Sequence, residues 1–188
     1  MRAPSPQQQA RTMTLEAFAD TIIPGEKRYP EDRAVAGAAP GGGAVAAGAI
    51  ELLEWDATGL TGGLDDFARA LDAHALAYAA QHGLALDESV PPFVALPFEH
   101  RGALVGVLTA PGHPEKELWI SLSLFSNMAY DSAAHMHTRD AIAAGHPGLT
   151  AMGITTPDPD GLWRFPAYTY GRALADLHPD TTPSGSPA

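Results

Sequence analysis

Apolar residues recur every three or four positions over several stretches of the chain, and no run shows sustained alternation. The pattern predicts helices and few or no strands. Leu15, Phe18, Ala19 and Ile22 form one stripe of a helix over 14–23, with Thr14 as its N-cap and Glu16 and Asp20 on the opposite, polar face. Pro24 stops this helix, because proline lacks an N–H and disfavours helical angles at Ile23. A second helix is expected over 43–55, with Val45, Ala49, Leu52 and Leu53 inward. The third, over 64–82, has the clearest pattern: Leu64, Phe67, Leu71, His74 and Tyr78 share a face, and Gly83 stands where a left-handed cap belongs. A fourth helix spans 97–109 behind Pro97, and a fifth spans 114–134, apolar nearly all round and therefore central. A short segment at 138–144 and a turn or two near 172–177 complete the prediction. The expected architecture is all-α, a single irregular bundle of five to six helices joined by long Pro/Gly-rich loops.

Two stretches, 24–43 and 145–170, have no period, and structureless loops of such length are uncommon in a compact domain unless they serve a function. The first carries Lys27, Arg28, Tyr29 and Arg33, and the second carries Trp163, Arg164, Phe165, Tyr168 and Tyr170. Trp, Tyr and Arg dominate binding hot spots. Pro24, Tyr29, Arg33, Trp163, Phe165, Tyr168 and Tyr170 are therefore the candidate partner interface; the alternative for the second group is that its aromatics cover the core. The ends, 1–12 and 179–188, are rich in Pro, Gln and Ser and read as a disordered lead-in and tail around a helical domain of 13–178.

The 188 residues fit one domain. With no cysteine, disulfides, iron–sulfur clusters and Cys-ligated zinc are excluded. A net charge of −11 with only 11 Lys and Arg argues against nucleic acid, whose phosphates need clustered cations. No apolar run approaches the roughly 20 residues that insert in a membrane. Residues 1–13 lack the charged and apolar regions of a secretory signal, so the expected location is cytoplasmic.

Eight histidines invite a metal hypothesis, and Asp131, His135 and His137 are its densest candidates. Residues two apart on a helix diverge, so one ion could take both histidines only if the helix has ended by His135. The competing reading is a pair of helix-terminal histidines favoured by the C-terminal dipole. His74 and His100 sit in apolar stripes, either as buried bases or as neutral, hydrogen-bonded core residues. Gly41, Gly42 and Gly43 lack the preceding strand of a phosphate-cradling loop and read as a turn with close helix approach. Asp65–Asp66 and Glu31–Asp32 are sequence neighbours that do not converge, which suits a solvated face better than an acid/base dyad. No familiar catalytic motif is present. The alternatives are a small histidine-dependent metalloenzyme and a helical protein with a small-molecule pocket under the aromatic loop.

The run Leu15-Glu16-Ala17-Phe18-Ala19-Asp20-Thr21-Ile22-Ile23-Pro24, a Pro- and Ala/Gly-rich loop feeding a helix, a later helix from Phe93 to Leu108 and the long helix at 114–134 share a known layout. Over about residues 13–170 the chain resembles the family typified by gluconate 2-dehydrogenase subunit 3. The resemblance implies a non-catalytic small subunit that binds, solubilises or matures the large subunit of a flavin-dependent oxidoreductase of the glucose-methanol-choline type. FAD is then expected in the partner and no cofactor in this chain. Many members of that family carry a twin-arginine signal, whereas this chain has only Arg2 and Arg11 near its start and no apolar region after them. A cytoplasmic complex is the corresponding expectation.

Overall fold

In the computed structural model, residues 4–156 and Asp180 are described, and every element below belongs to the compact unit Met1–Thr155. Eight α-helices and no strand occur among the described residues. They are α1 (Pro6–Ile22), α2 (Ala49–Leu53), α3 (Leu64–His82), α4 (Pro92–Ala95), α5 (Phe98–Leu108), α6 (Lys116–Ser132), α7 (Thr138–Ala143) and α8 (Pro147–Ala151). The fold is the all-helical bundle that the periodicity predicts, with α1, α3, α5 and α6 as its long members. No helix among the described residues is long and apolar enough to cross a membrane.

Helix α1 packs against α2, α3, α4, α5 and α6 and runs through the centre of the core. Its Phe18, 1 % exposed, meets Phe93 at 6.4 Å and Trp119 at 6.1 Å between ring centroids. Leu15, Leu64, Leu71, Leu104, Leu108 and Leu122 fill the same cluster. The centre therefore lies on α1, and α6, expected there because of its apolar circumference, buries Trp119 and Leu122 but leaves Leu124 and Met128 largely in solvent.

Three differences from the sequence pattern have local causes. Helix α1 starts at Pro6, inside the segment expected to be disordered. Ser5 accepts the Gln8 amide while the Gln8 side chain accepts the Ser5 amide, a capping box joined to a Pro at the first helical position. Arg11 then ties the helix to Glu54 and lies 3.7 Å from Asp65. The second helix shrinks to Ala49–Leu53 because Gly48 adopts φ 86°, a left-handed angle that breaks the helix. The short helices α4 and α8 fall in stretches that read as irregular, each with Pro at its first turn. Helices α3, α5 and α6 lie within two residues of their expected limits, and Gly83 caps α3 at φ 64°.

Candidate functional site: the loop anchored by Asp20

The loop 24–43 is held from beneath by three buried charged side chains. At its entrance the chain doubles back on itself: the Ala44 amide donates to the Ile23 carbonyl at 3.0 Å, and the Glu26 amide donates to that of Gly41 at 2.7 Å. Only glycine fits where the two arms of the loop meet. A Cβ on Gly25 would lie 2.3 Å from the Gly43 nitrogen, and one on Gly43 would lie 2.5 Å from the Ile23 carbonyl oxygen. The triple glycine is expected to give a turn and close helix approach; the close approach that Gly43 makes is instead to the other arm of the loop, at Ile23, Pro24 and Gly25.

The helical period puts Asp20 on the polar face of the first helix, yet the residue is 1 % exposed. One carboxylate oxygen accepts the Gly25 amide at 3.1 Å and the other accepts the Ala36 amide at 2.8 Å, so a single side chain on α1 grips both arms of the loop. Burial pushes its pKa up against these two amides and the Arg101 cation. Asp32, which its neighbour Glu31 suggests lies in solvent, is also 1 % exposed. It accepts the Ala34 and Val35 amides at 3.2 Å each, an Asx-type turn, and pairs with Arg28 Nε at 2.7 Å. Burial alone would raise the Asp32 pKa, but the bonds from Arg28 and the two amides outweigh it and the net direction is down. Arg28 also makes a two-pronged pair with Glu16 on α1, which raises the guanidinium pKa further.

The third anchor, Arg101 on α5, is 5 % exposed. It donates to four carbonyls: Ala34 at 2.9 Å and Arg33 at 3.1 Å in the loop, Val94 at 2.6 Å on α4, and Leu96 at 3.0 Å. Burial lowers its pKa, with Asp20 opposing. No hydrophobic pattern marks these three residues. The one available signal is that Asp20 sits at the last turn before a long loop, where its carboxylate can accept amides from the next few residues.

The tip of the anchored loop presents Tyr29, 53 % exposed, with the Arg28 guanidinium 5.8 Å from its ring centre. Pro24 is partly buried at the bend. Arg33 is half exposed and pairs with Asp87 at 2.8 Å, while its carbonyl is one of the Arg101 acceptors. Pro24, Tyr29 and Arg33 thus share one loop. Trp163, Phe165, Tyr168 and Tyr170, together with the turn expected near 172–177, lie outside the described residues.

Five of the described histidines have structural roles. His74 Nε2 lies 2.7 Å from a Glu115 oxygen that also accepts the Trp119 indole N–H at 3.0 Å, and these contacts hold the Glu115 pKa down. His100 Nδ1 lies 3.1 Å from the Tyr78 hydroxyl. His137 caps α7 by accepting the Arg139 amide, and His146 caps α8 while its Nε2 lies 3.0 Å from the Ala47 carbonyl. His135 packs on Gly48, where a Cβ would lie 2.3 Å from its Nε2, and burial lowers its pKa. Among the described residues no three His, Asp or Glu side chains are placed to hold a metal ion, so Asp131, His135 and His137 do not form a ligand set.

These features define an all-helical domain packed around α1, with an anchored loop that carries Tyr29 at its tip. The chain belongs to the family described as "Family of unknown function (DUF5987)", which it matches over residues 9–188. No curated protein and no solved structure matches it.

Proposed function

We propose that this chain is a non-catalytic accessory subunit that uses the loop 24–43 to bind, solubilise or mature the catalytic subunit of a flavin-dependent oxidoreductase, with FAD carried by that partner. The reading is supported by one observation above all: a loop of about twenty residues, long for a compact domain, is fixed by Asp20, Asp32 and Arg101 from inside while its exposed tip carries Tyr29 and Arg28. A loop ordered in advance loses little entropy on docking, and Tyr and Arg supply interface energy. Asp20 belongs to the Ala-Asp-Thr-Ile-Ile-Pro run on which the resemblance to the gluconate 2-dehydrogenase small subunit rests. Burial of that residue beneath the loop gives the run a physical purpose, which is to hold the loop for a partner.

Co-expression with a flavin-dependent oxidoreductase large subunit from the same source, then size exclusion, tests the reading. Co-elution is expected, with higher flavoprotein yield than from expression alone. Tyr29→Ala should weaken the complex while leaving the thermal midpoint of the isolated chain nearly unchanged, since an exposed side chain contributes about 0.5 kcal/mol or less to stability. Separate elution together with unchanged flavoprotein yield would count against the proposal.

A further inference from the structure

Helices α7 and α8 are each started by a histidine, and a third histidine stands just before them. His137 Nδ1 accepts the Arg139 amide at 3.3 Å, and His146 Nδ1 accepts the Leu149 amide at 3.3 Å. Helix caps are ordinarily Ser, Thr, Asp or Asn, whose oxygens accept at any pH near neutrality; an imidazole nitrogen accepts only while it carries no proton. His146 does more than cap. Its Nε2 lies 3.0 Å from the Ala47 carbonyl, and the residue is 6 % exposed. A carbonyl can only accept and an amide can only donate, so these two partners admit one form of the ring: neutral, with its hydrogen on Nε2.

The bond to Ala47 ties α8 to the segment by which the loop rejoins α2. Pro147 presses on the same segment, where a Cβ on Gly42 would lie 2.8 Å from Pro147 Cβ, and His135 covers Gly48. Apart from this seam, α8 rests on α6 and on α7, in a small cluster of Ala133, Ala141 and Leu149 that is separate from the one around Phe18. A second proton on His146 would have to enter at Nδ1, where it faces the Leu149 N–H. Donor would then meet donor, and a charge would sit in a buried site with no carboxylate bonded to it. From the turn before α7 comes His135, whose own charge would oppose one on His146; burial holds the His135 pKa down although Glu51 on α2 pulls it upward. Helix α6 contributes Tyr130, whose carbonyl backs Gly148, and the exposed Asp131; α7 contributes Arg139 and Asp140, both exposed. We propose that His146 is a pH-operated latch: when its ring takes up a second proton in mild acid it gives up the Leu149 amide and its seat on Ala47, and α8 comes away from residues 42–48 while the core around α1 stays folded. The open form binds a proton that the latched form has no room for, so the latch is complete above the imidazole range and opens as pH falls through it. This inference is independent of the accessory-subunit reading, and either can fail alone.

Hydrogen exchange of the full chain, read at single amides from about pH 7.5 to about pH 5.5 and corrected for the intrinsic rate, tests the latch. With an open imidazole taking its proton near the ordinary pKa of about 6.5, protection of the Leu149 and Met152 amides should fall about tenfold relative to amides in the middle of α3. His146→Asn keeps an acceptor for the Leu149 amide and does not titrate in this range, so its ratio should stay constant. Nitrogen chemical shifts of the His146 ring in the unsubstituted protein should show the Nε2–H form at the upper pH, a measurement that needs no variant. A constant ratio of Leu149 to α3 protection in the unsubstituted protein would overturn the proposal. So would a ring protonated on Nδ1 at the upper pH, or the same tenfold fall in folded His146→Asn.

Discussion

Replacing Asp20 by alanine removes both acceptors that hold the loop, and the consequence can be worked from the geometry. The Gly25 and Ala36 amides, at 3.1 and 2.8 Å from the carboxylate, would be left without their partner, Gly25 in a buried position and Ala36 in a half-buried one. A buried donor left unsatisfied costs about 1–3 kcal/mol, so the pair costs about 2–6 kcal/mol before relaxation. Against this stands the cost of burying the carboxylate itself, which the upward direction of its pKa reveals and which the substitution relieves. The net loss expected is about 2–4 kcal/mol, or roughly 5–15 °C in Tm for a domain of this size. Hydrogen exchange gives the sharper assay. The Gly25 and Ala36 amides should lose protection by more than the global destabilisation explains, while amides in the middle of α3 should track the global change only. If those two amides exchange in step with α3, the carboxylate is not the anchor. Asp20→Asn adds a pH signature. Because burial raises the folded pKa above 3.8, the contribution of this group is complete below that value and is lost as pH rises through the raised folded pKa. The stability of wild type relative to Asp20→Asn should therefore decline from about pH 4 upward, and a difference that grows with pH would refute the assignment.

Phe18→Ala, which removes the ring that packs on both Phe93 and Trp119, should cost about 3–5 kcal/mol in urea unfolding. Arg101→Met keeps the volume but strands four carbonyls while relieving a buried cation; a net loss of about 3 kcal/mol is expected, with faster exchange in residues 33–36. Gly148→Ala places a Cβ 1.8 Å from the Tyr130 carbonyl oxygen and should lower stability by about 1–3 kcal/mol as α8 is pushed off α6, measured by thermal melting. Acid titration should find stability lost as pH falls through the depressed Asp32 pKa, below the ordinary 3.8, and Asp32→Asn should remove that limb.

Helix identity is legible in the amino-acid order because it obeys local rules. The apolar period places α3, α5 and α6, Pro24 ends α1, and Gly83 marks the end of α3; the burial of Phe18, Leu15 and Leu71 comes from the stripes they occupy. The loop 24–43 is visible as a stretch without a period, and its residues Tyr29 and Arg33 as interface candidates. Local order also holds signals that the hydrophobic pattern does not carry, such as the Ser5–Gln8 capping box and the helix-breaking Gly48.

Tertiary structure alone decided the fate of the charges. Asp20, Asp32 and Arg101 have the sequence surroundings of solvated residues, and the same period that puts Phe18 inward puts Asp20 on the polar side of an isolated helix. Their burial comes from segments that fold over them: Gly25 and Ala36 close on Asp20, and the carbonyls of Arg33, Ala34 and Val94 converge on Arg101. A buried charge is tolerated only where its hydrogen bonds are met, and the partners that meet them are backbone groups, which every residue possesses and no sequence pattern singles out.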